Sequence, residues 1–151
     1  MRHFAHLEDL RAEVGNDIGV SAWITIEQDR IDRFAEATGD HQWIHVDAAR
    51  AAAGPFKATI AHGFLTLSLL PQMSETAFEI GDVRMGVNYG LNRVRFPNPV
   101  RVGSRVRGHF KLRSYEALDG GGAQLVVEVS MQIDGADKPA CVAESVSRRF
   151  T

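Results

Sequence analysis

The chain has 151 residues, of which 44% are apolar and 24% are charged. This is the size and composition of one soluble globular domain that can bury a sizeable core without disulfides or a structural metal. The net charge of -2, from 17 Lys and Arg against 19 Asp and Glu, argues against a nucleic-acid-binding module. The single cysteine, Cys141, excludes an internal disulfide and a four-cysteine zinc site.

Targeting and membrane-spanning segments are not predicted. The N-terminal stretch lacks a signal-peptide core because charged residues interrupt it at Glu8, Asp9, Arg11 and Glu13. The longest apolar run, 64–70, is far shorter than the ~20 residues that span a bilayer. Together with the low cysteine content, this predicts a cytoplasmic protein with no membrane partner.

Apolar residues recur at helical spacing in the first half of the chain. Residues 4–14 place Leu7, Leu10 and Val14 on one face and predict a short amphipathic helix. After a short predicted strand at 23–26, a second helix follows, with an apolar face made of Ile31, Phe34, Ala35 and Thr38. Thr25 and Gln28 match the capping box that starts a helix, and Gly39 suits the left-handed residue that ends one.

Two further helices are predicted before the pattern changes. Asp47 can cap a short helix over 48–53, which the following Gly-Pro pair ends. A longer helix over about 62–73 is apolar almost all round, so it must be buried on most sides. Pro71 lies late in this helix and should kink or end it.

After residue 80 the apolar residues recur at every second position, as in half-buried strands. Strands are predicted at 85–96, 104–114, 125–133 and 140–150. The apolar phase of the first strand flips near 91–93, which predicts a bulge, and the Gly-rich segment 119–122 predicts a hairpin turn. One face of the second strand is basic, and we interpret it as a solvated sheet face made of Arg105, Arg107, His109, Lys111 and Arg113.

Helices followed by a run of about four antiparallel strands indicate the α+β class. The helix over 62–73 is too apolar for the surface and is most simply wrapped by a curved antiparallel sheet, which is the hot-dog arrangement. The chain has no internal repeat and no Pro/Gly/Ser-rich linker. We therefore predict a single domain over residues 1–151.

The segment 38–47, TGDHQWIHVD, is the unusual one. Asp40 and His45 lie five residues apart just after a predicted helix end, so they can converge on one water molecule. Such a pair can take a proton from water and supply one elsewhere. The alternative is that Asp40 merely turns the chain and that His45 makes a structural hydrogen bond.

A second candidate feature, Ile60-Ala61-His62-Gly63, opens the apolar helix. Gly63 would let a ligand approach the backbone closely. The free N–H groups at a helix start can stabilise a developing oxyanion. The alternative is that Gly63 only permits close packing of the helix against the sheet.

Residues 38–70 resemble the MaoC-like dehydratases, the (R)-specific enoyl-CoA hydratases with a hot-dog fold. The resemblance is carried by the Gly-Asp at 39–40, the His five residues after the Asp, and the His-Gly at 62–63. The segment 92–103 also looks like a strand and turn of that family. The similarity covers roughly two-thirds of the chain, and the element order fits the remainder.

The resemblance implies reversible hydration of a trans-2-enoyl-CoA to an (R)-3-hydroxyacyl-CoA. Asp40 and His45 would be the catalytic pair that holds the added water, and the Gly63 N–H would polarise the thioester carbonyl. Many family members have Asn-Pro between the Asp and the His, where this chain has Gln42-Trp43. Gln42 keeps an amide for a similar hydrogen bond, whereas Trp43 is larger and can reshape the pocket.

Additional substrate contacts are expected from His62 and from Arg93, the latter toward the phosphates of CoA. The basic sheet face is a weaker candidate for the same contact. The reaction needs no metal or redox cofactor, and CoA is part of the substrate. An acyl-carrier-protein thioester is the alternative substrate. We also expect a homodimer, because one protomer would leave a sheet edge and a half-open cleft exposed.

Three rival interpretations remain at this point. A hot-dog thioesterase needs a carboxylate near the start of the central helix, where this chain has Phe64 and Leu65. A non-catalytic acyl-thioester binding module would not need both Asp40 and His45. A metal site is conceivable from His41 and His45 with either Asp47 or His62.

Overall fold

The computed structural model describes all residues from 1 to 151. In chain order its elements are β1 (Arg2–Phe4), a 3-10 helix (Leu7–Glu13), β2 (Asp17–Val20), β3 (Ile24–Thr25), α1 (Gln28–Thr38), α2 (Trp43–Val46), α3 (Ala48–Ala53), α4 (Gly63–Ser68), α5 (Leu70–Ala77), β4 (Phe78–Ile80), β5 (Met85–Arg95), β6 (Arg105–Ala117), β7 (Ala123–Ile133) and β8 (Cys141–Phe150). The α+β class predicted from the sequence is confirmed.

The main sheet is antiparallel and has the strand order β2-β6-β7-β8-β5, with β3 also paired to β6. The period-two pattern explains its burial, because alternate residues of β6 and β7 point into the core. The predicted hairpin turn joins β6 to β7, and Gly120, Gly121 and Gly122 all have positive φ there. This inner face packs against α5, which gives the predicted hot-dog arrangement of a sheet wrapped around a helix.

The order of the strands in the sheet differs from the simplest expectation for a run of four antiparallel strands, in which each strand pairs with the next one along the chain. β6, β7 and β8 are sequential neighbours, but β5 pairs with β8 and not with β6. Pro97 and Pro99 lack the N–H groups that would continue a ladder, so the chain leaves the sheet after β5. It then pairs with the segment before α4, where the Ala61 N–H donates to the Val100 carbonyl at 2.8 Å. The predicted bulge between Leu91 and Arg93 is present.

The central helix is interrupted next to Pro71, as predicted, but its length is a second correction. α4 and α5 meet at Leu69, and α5 continues beyond the predicted end to Ala77. Pro71 lies in the first turn of α5, where its missing N–H costs no intrahelical hydrogen bond. Met73 and Ala77 are fully buried, but Phe64 is 69% exposed, so the helix pair is not covered on all sides.

Helix α1 agrees with the prediction except at its start. Gly39 adopts φ 75° at the C-terminus, as expected for a left-handed cap. The predicted capping box is wrong, because Glu27 is the N-cap and makes no side-chain capping bond. The Gln28 side chain is used elsewhere, donating to the His45 carbonyl at 2.8 Å and accepting from the Thr59 hydroxyl at 2.5 Å. Asp47 does cap α3, by accepting from the Arg50 N–H at 2.9 Å.

The N-terminal region differs most from the prediction. Residues 7–13 form a 3-10 helix that buries Leu7 and Leu10 and leaves Val14 44% exposed. β1 pairs in parallel with β4 in a separate small sheet, and β2 extends the main sheet. Neither β1 nor β2 was predicted, because they are only three and four residues long, too short to show a periodic pattern. No helix of the structure is long and apolar enough to cross a membrane.

Candidate active site

The loop after α1 carries the first two candidate residues, with Asp40 at the surface and His45 in the interior. Because Gly39 turns the chain with a left-handed conformation, Asp40 lies directly below the end of α1. The single turn of α2 then places the His45 side chain in the interior, where the residue is only 6% exposed. The Gln28 hydrogen bond to the His45 carbonyl fixes this turn against α1.

The hydrogen bonds of His45 determine its tautomer. Its Nδ1 lies 2.7 Å from the Ile60 carbonyl oxygen. A carbonyl can only accept, so Nδ1 carries the proton and donates it. In the neutral ring, Nε2 is then an unprotonated base with a free lone pair.

His62 packs directly on His45. The two rings are stacked with centroids 3.7 Å apart and an interplanar angle of 23°. His62 Nε2 donates to the Asp40 carbonyl oxygen at 2.9 Å, while its buried Nδ1 has no hydrogen-bond partner. Phe34 of α1 lies against the other side of the ring, with centroids 5.0 Å apart. His62 thus supports both Asp40 and His45 from beneath.

Asp40 completes the cluster. Its side chain is 55% exposed, and its Oδ2 lies 4.0 Å from His62 Nε2. One side-chain N or O atom from each of Asp40, His45 and His62 lies within 4.8 Å of the other two. The structure therefore brings together the Asp and the His that the sequence singled out, with one carboxylate at the solvent boundary and one imidazole in the interior.

A cavity of about 380 Å³ adjoins His45 and Gly63. Its wall is mostly apolar, and the other lining residues are Ile44, Phe56, Ile60, Ala61, Thr66, Phe96, Asn98, Pro99, Val100 and Ala140. Gly63 is the first residue of α4, and no backbone carbonyl accepts a hydrogen bond from its N–H. A Cβ at Gly63 would lie 3.0 Å from the Phe96 ring, so the alternative packing role predicted for this glycine also applies.

Burial is the main cause of the electrostatic state of His45. It lowers the pKa of His45, and the neighbouring His62 lowers it further, while the Ile60 hydrogen bond and Asp40 act in the opposite direction. The net direction is downward from the ordinary value of 6.5. His45 is therefore neutral at neutral pH, with Nε2 available as a base.

We expect His45 to make the stability of the protein depend on pH. The unfolded chain binds a proton on this histidine near pH 6.5, whereas the folded chain binds it only at lower pH. The free energy of unfolding should therefore fall as the pH drops through about 6.5, and this contribution should level off below the folded pKa. Urea denaturation of the wild type and of His45→Asn across this range measures it. Identical pH slopes in both proteins would contradict the assignment.

The metal site considered from the sequence is not the one that the fold brings together. His41 lies outside α2 and its Nδ1 is 3.7 Å from Glu36, while Asp47 caps α3. The cluster of Asp40, His45 and His62 has donor atoms that could hold a cation, but His45 Nδ1 and His62 Nε2 are already engaged by carbonyl oxygens.

Two expected substrate contacts, Gln42 and Arg93, do not line the cavity beside His45. Gln42 is exposed at the start of α2, where its N–H donates to Asp40 Oδ1 at 3.4 Å. Arg93 is exposed on β5, opposite Glu144, and does not line the cavity beside His45. The hydrogen bond from the Thr59 hydroxyl to the Gln28 side chain was not predicted. Gln28 lies three residues after Thr25, and this spacing instead predicts a helix capping box.

Comparison with known proteins defines the class of protein. The model of the MaoC like domain family matches residues 9–132. The 3-hydroxyacyl-thioester dehydratase Z of Mycobacterium tuberculosis is 53% identical over 148 residues, covering 98% of each chain. Nodulation protein N of Rhizobium leguminosarum is 48% identical over 96% of this chain and 91% of its own.

Solved structures agree with this relationship. The unliganded R-hydratase PhaJ1 from Pseudomonas aeruginosa aligns with a TM-score of 0.69 and 26% identity, over 91% of this chain and 82% of its own. The chain therefore belongs to the MaoC-like family, and it is an enzyme of the dehydratase class.

Proposed function

We propose that the protein catalyses the reversible hydration of a trans-2-enoyl-CoA to an (R)-3-hydroxyacyl-CoA. The observation that carries this proposal is the convergence of Asp40 with the unprotonated Nε2 side of His45, next to a cavity that reaches Gly63. The similarity to the mycobacterial 3-hydroxyacyl-thioester dehydratase supports the same substrate class.

The proposed chemistry balances with one water molecule. Its oxygen bonds to C3 of the enoyl thioester while one of its protons passes to the pair of Asp40 and His45. The Asp40 carboxylate and the Nε2 atom of His45 begin without a proton, and the Nδ1 proton of His45 is engaged by the Ile60 carbonyl, so the proton delivered to C2 is the one taken from water. Dehydration runs through the same groups in reverse.

Gly63 supplies the proposed electrophile. Electron density moves onto the thioester carbonyl oxygen as water attacks C3, and a free backbone N–H can stabilise that charge. The Gly63 N–H meets this requirement because it has no backbone acceptor in α4 and borders the same cavity as His45. Gln42 and Arg93 remain proposed substrate contacts toward the CoA moiety, which would enter from the exposed side of Asp40.

The test is the ultraviolet absorbance of crotonyl-CoA with the purified protein. We expect the enoyl absorbance to fall without release of free thiol. Free thiol would instead show a thioesterase. No change with crotonyl-CoA or a longer enoyl-CoA would contradict the CoA-dependent reaction, and the corresponding acyl-carrier-protein thioester would then separate a carrier-protein substrate from a non-catalytic binding module.

We propose that the reaction uses no metal or other cofactor. The expected result is that exhaustive dialysis against a chelator leaves the hydration rate within twofold of the untreated enzyme, since a buried imidazole and a carboxylate suffice as proton acceptors. The assay with crotonyl-CoA measures this directly. Loss of activity that added Zn²⁺ restores would instead assign Asp40, His45 and His62 as metal ligands.

A homodimer is also proposed, and β5 supports it. This strand lies at the edge of the sheet, and four of its apolar side chains are exposed, namely Met85, Val87, Tyr89 and Leu91. Phe64 and Phe96 add exposed aromatic surface next to the cavity beside His45. An exposed apolar edge strand is a site for pairing with another chain, and symmetric pairing is the commonest outcome.

We expect light scattering to give about twice the chain mass of 16.6 kDa. Val87→Asp should shift the protein toward the monomer, because it places two carboxylates in a symmetric interface. Val14→Asp is the matched control, since Val14 and Val87 are both 44% exposed and Val14 lies outside the sheet. A monomeric wild type, or equal dissociation in both variants, would contradict the proposal.

The proposal covers residues 1–151 as one catalytic domain, of which the family model matches 9–132.

Cys141 is buried and unpaired. Burial raises the pKa of its thiol to about 11, which makes the thiolate a negligible species at neutral pH. An unpaired cysteine supports, as part of the proposal, a reducing compartment such as the cytoplasm.

A further inference from the structure

The inner face of the sheet changes from apolar to polar along β8. Cys141 and Ala143 point into the core, but the next side chains on the same face are Ser145, Ser147 and Arg149. Their neighbours on the edge strand are also small or polar, since Gly86 pairs with Arg149 and Asn88 pairs with Ser147. A face turned toward a helix is normally apolar, so this corner does not serve core packing.

These residues line a cavity of about 230 Å³ between the sheet corner and α5, which we call the polar cavity. Ser74 and Glu75 of α5 line its opposite side. The remaining walls are formed by Leu70, Pro71, Phe78, Phe110, Val127 and Val129. The polar cavity is distinct from the cavity beside His45, because the two have no lining residue in common.

Arg149 is the unusual group in the polar cavity. Its Nε is buried without a hydrogen-bond partner, and no carboxylate lies within ion-pair distance of its guanidinium. A Cβ at Gly86 would overlap this guanidinium, so the glycine makes room for it. An arginine remains charged at any ordinary pH, and a partly buried guanidinium without an ion-pair partner is stabilised when an anion compensates its charge.

A second cavity of about 370 Å³ connects the polar cavity to the start of the helix pair. The two cavities share Leu70, Pro71, Asn88 and Ser145. The second cavity begins at Leu67, about one helical turn after Gly63. The second cavity shares no lining residue with the cavity beside His45, but that cavity reaches Thr66, the residue before Leu67, so an acyl chain whose thioester lies at Gly63 would run along α4 past these residues to end at Arg149.

We propose that the polar cavity binds a carboxylate at the far end of the substrate's acyl chain, with Arg149 as the specificity-determining residue. This rests on the proposed function, because it places the thioester at Gly63. A guanidinium flanked by hydroxyl and amide groups matches a planar carboxylate. Glu75 lines the same cavity, and its negative charge disfavours a doubly charged phosphate more strongly than a singly charged carboxylate.

The experiment compares trans-2-enoyl-CoA substrates that end in a methyl group or in a carboxylate, in matched lengths from hexenoyl to dodecenoyl. The wild type should show at least tenfold higher kcat/KM for the carboxylate-ended substrate at one length. Arg149→Gln should lose about tenfold to a hundredfold on that substrate and keep its rate on the methyl-ended one, since a hydrogen bond to a charged group is removed. Arg149→Lys should retain part of the preference.

Arg148→Gln is the matched control. Arg148 is the adjacent residue but lies on the outer face, with its guanidinium 3.7 Å from the centre of the Tyr89 ring. This variant should behave as the wild type on both substrate series. Equal losses in Arg148→Gln and Arg149→Gln would overturn the proposal, because they would show only a general effect of charge.

Other outcomes separate this proposal from the proposed function. If neither crotonyl-CoA nor any longer enoyl-CoA is hydrated, the proposed function fails, and calorimetry with adipate or suberate then tests the cavity alone. Binding of a free dicarboxylate that Arg149→Gln abolishes, without any preference among the acyl thioesters, would overturn the assignment of the ligand to the substrate. Dissociation of the oligomer by Arg149→Gln would assign the guanidinium to a second copy of the chain and would also overturn it.

Discussion

Asp40→Asn should lose about 10²- to 10⁴-fold in the rate of crotonyl-CoA hydration while the fold is unchanged. The amide has the shape of the carboxylate and still offers an oxygen to the Gln42 N–H, but it cannot accept a proton. Because the Asp40 side chain is 55% exposed, the substitution removes no buried contact. Initial rates from the enoyl absorbance and the thermal midpoint measure the two effects separately.

Asp47→Asn is the control for this experiment. Asp47 is seven residues further along the same segment and caps α3 through the Arg50 N–H. Asparagine is nearly as good an N-cap, so both stability and turnover should stay close to the wild type. A rate of Asp40→Asn within a few fold of the wild type would remove Asp40 from the catalytic pair.

His45→Ala should lose turnover to a similar extent and should also destabilise the protein. It removes the base at Nε2 and leaves the Ile60 carbonyl without its buried donor, which costs about 1–3 kcal/mol. His45→Asn separates the two effects, because its side-chain N–H₂ can occupy the place of Nδ1 and still donate to the Ile60 carbonyl. We expect this variant to recover most of the stability but none of the activity.

The measurements are the same hydration assay and urea denaturation. His41→Ala is the control, since His41 is a half-exposed histidine of the same loop that faces Glu36. Activity in His45→Asn near that of the wild type would show that His45 has only a structural role, which is the alternative weighed from the sequence. Equal stability of the Ala and Asn variants would show that the bond to Ile60 contributes little.

The stacking of His62 on His45 is one reason why His45 should stay neutral. Two imidazolium ions with centroids 3.7 Å apart in the interior would repel strongly, and desolvation also disfavours the charge. Both rings also contact a carbonyl oxygen, His45 that of Ile60 and His62 that of Asp40. We therefore expect His62 to position Asp40 and His45, while its expected contact with the substrate stays a prediction.

Local patterns sufficed wherever a local cause dominates. The alternation in β6 and β7, the glycine that ends α1 and the Asp cap of α3 were all predicted correctly, because each depends on residues a few positions apart. The pairing of Asp40 with His45 belongs only partly to the same category. Their five-residue spacing across a turn permits convergence but does not require it, and the resemblance to the MaoC-like dehydratases is what singled out this pair.

The sequence by itself determined the α+β class, the apolar helix within the sheet and the proposal of Asp40 and His45 as the catalytic pair. Only the tertiary structure decided that β5 pairs with β8, that His62 stacks on His45, that Gln28 bridges to Thr59, and that Arg149 ends in a polar cavity. These contacts depend on the path of the chain after Pro97 and on the register of the sheet. The contacting residues are far apart in sequence. Periodicity within a segment shows which of its residues are buried, but not which distant segment they will contact.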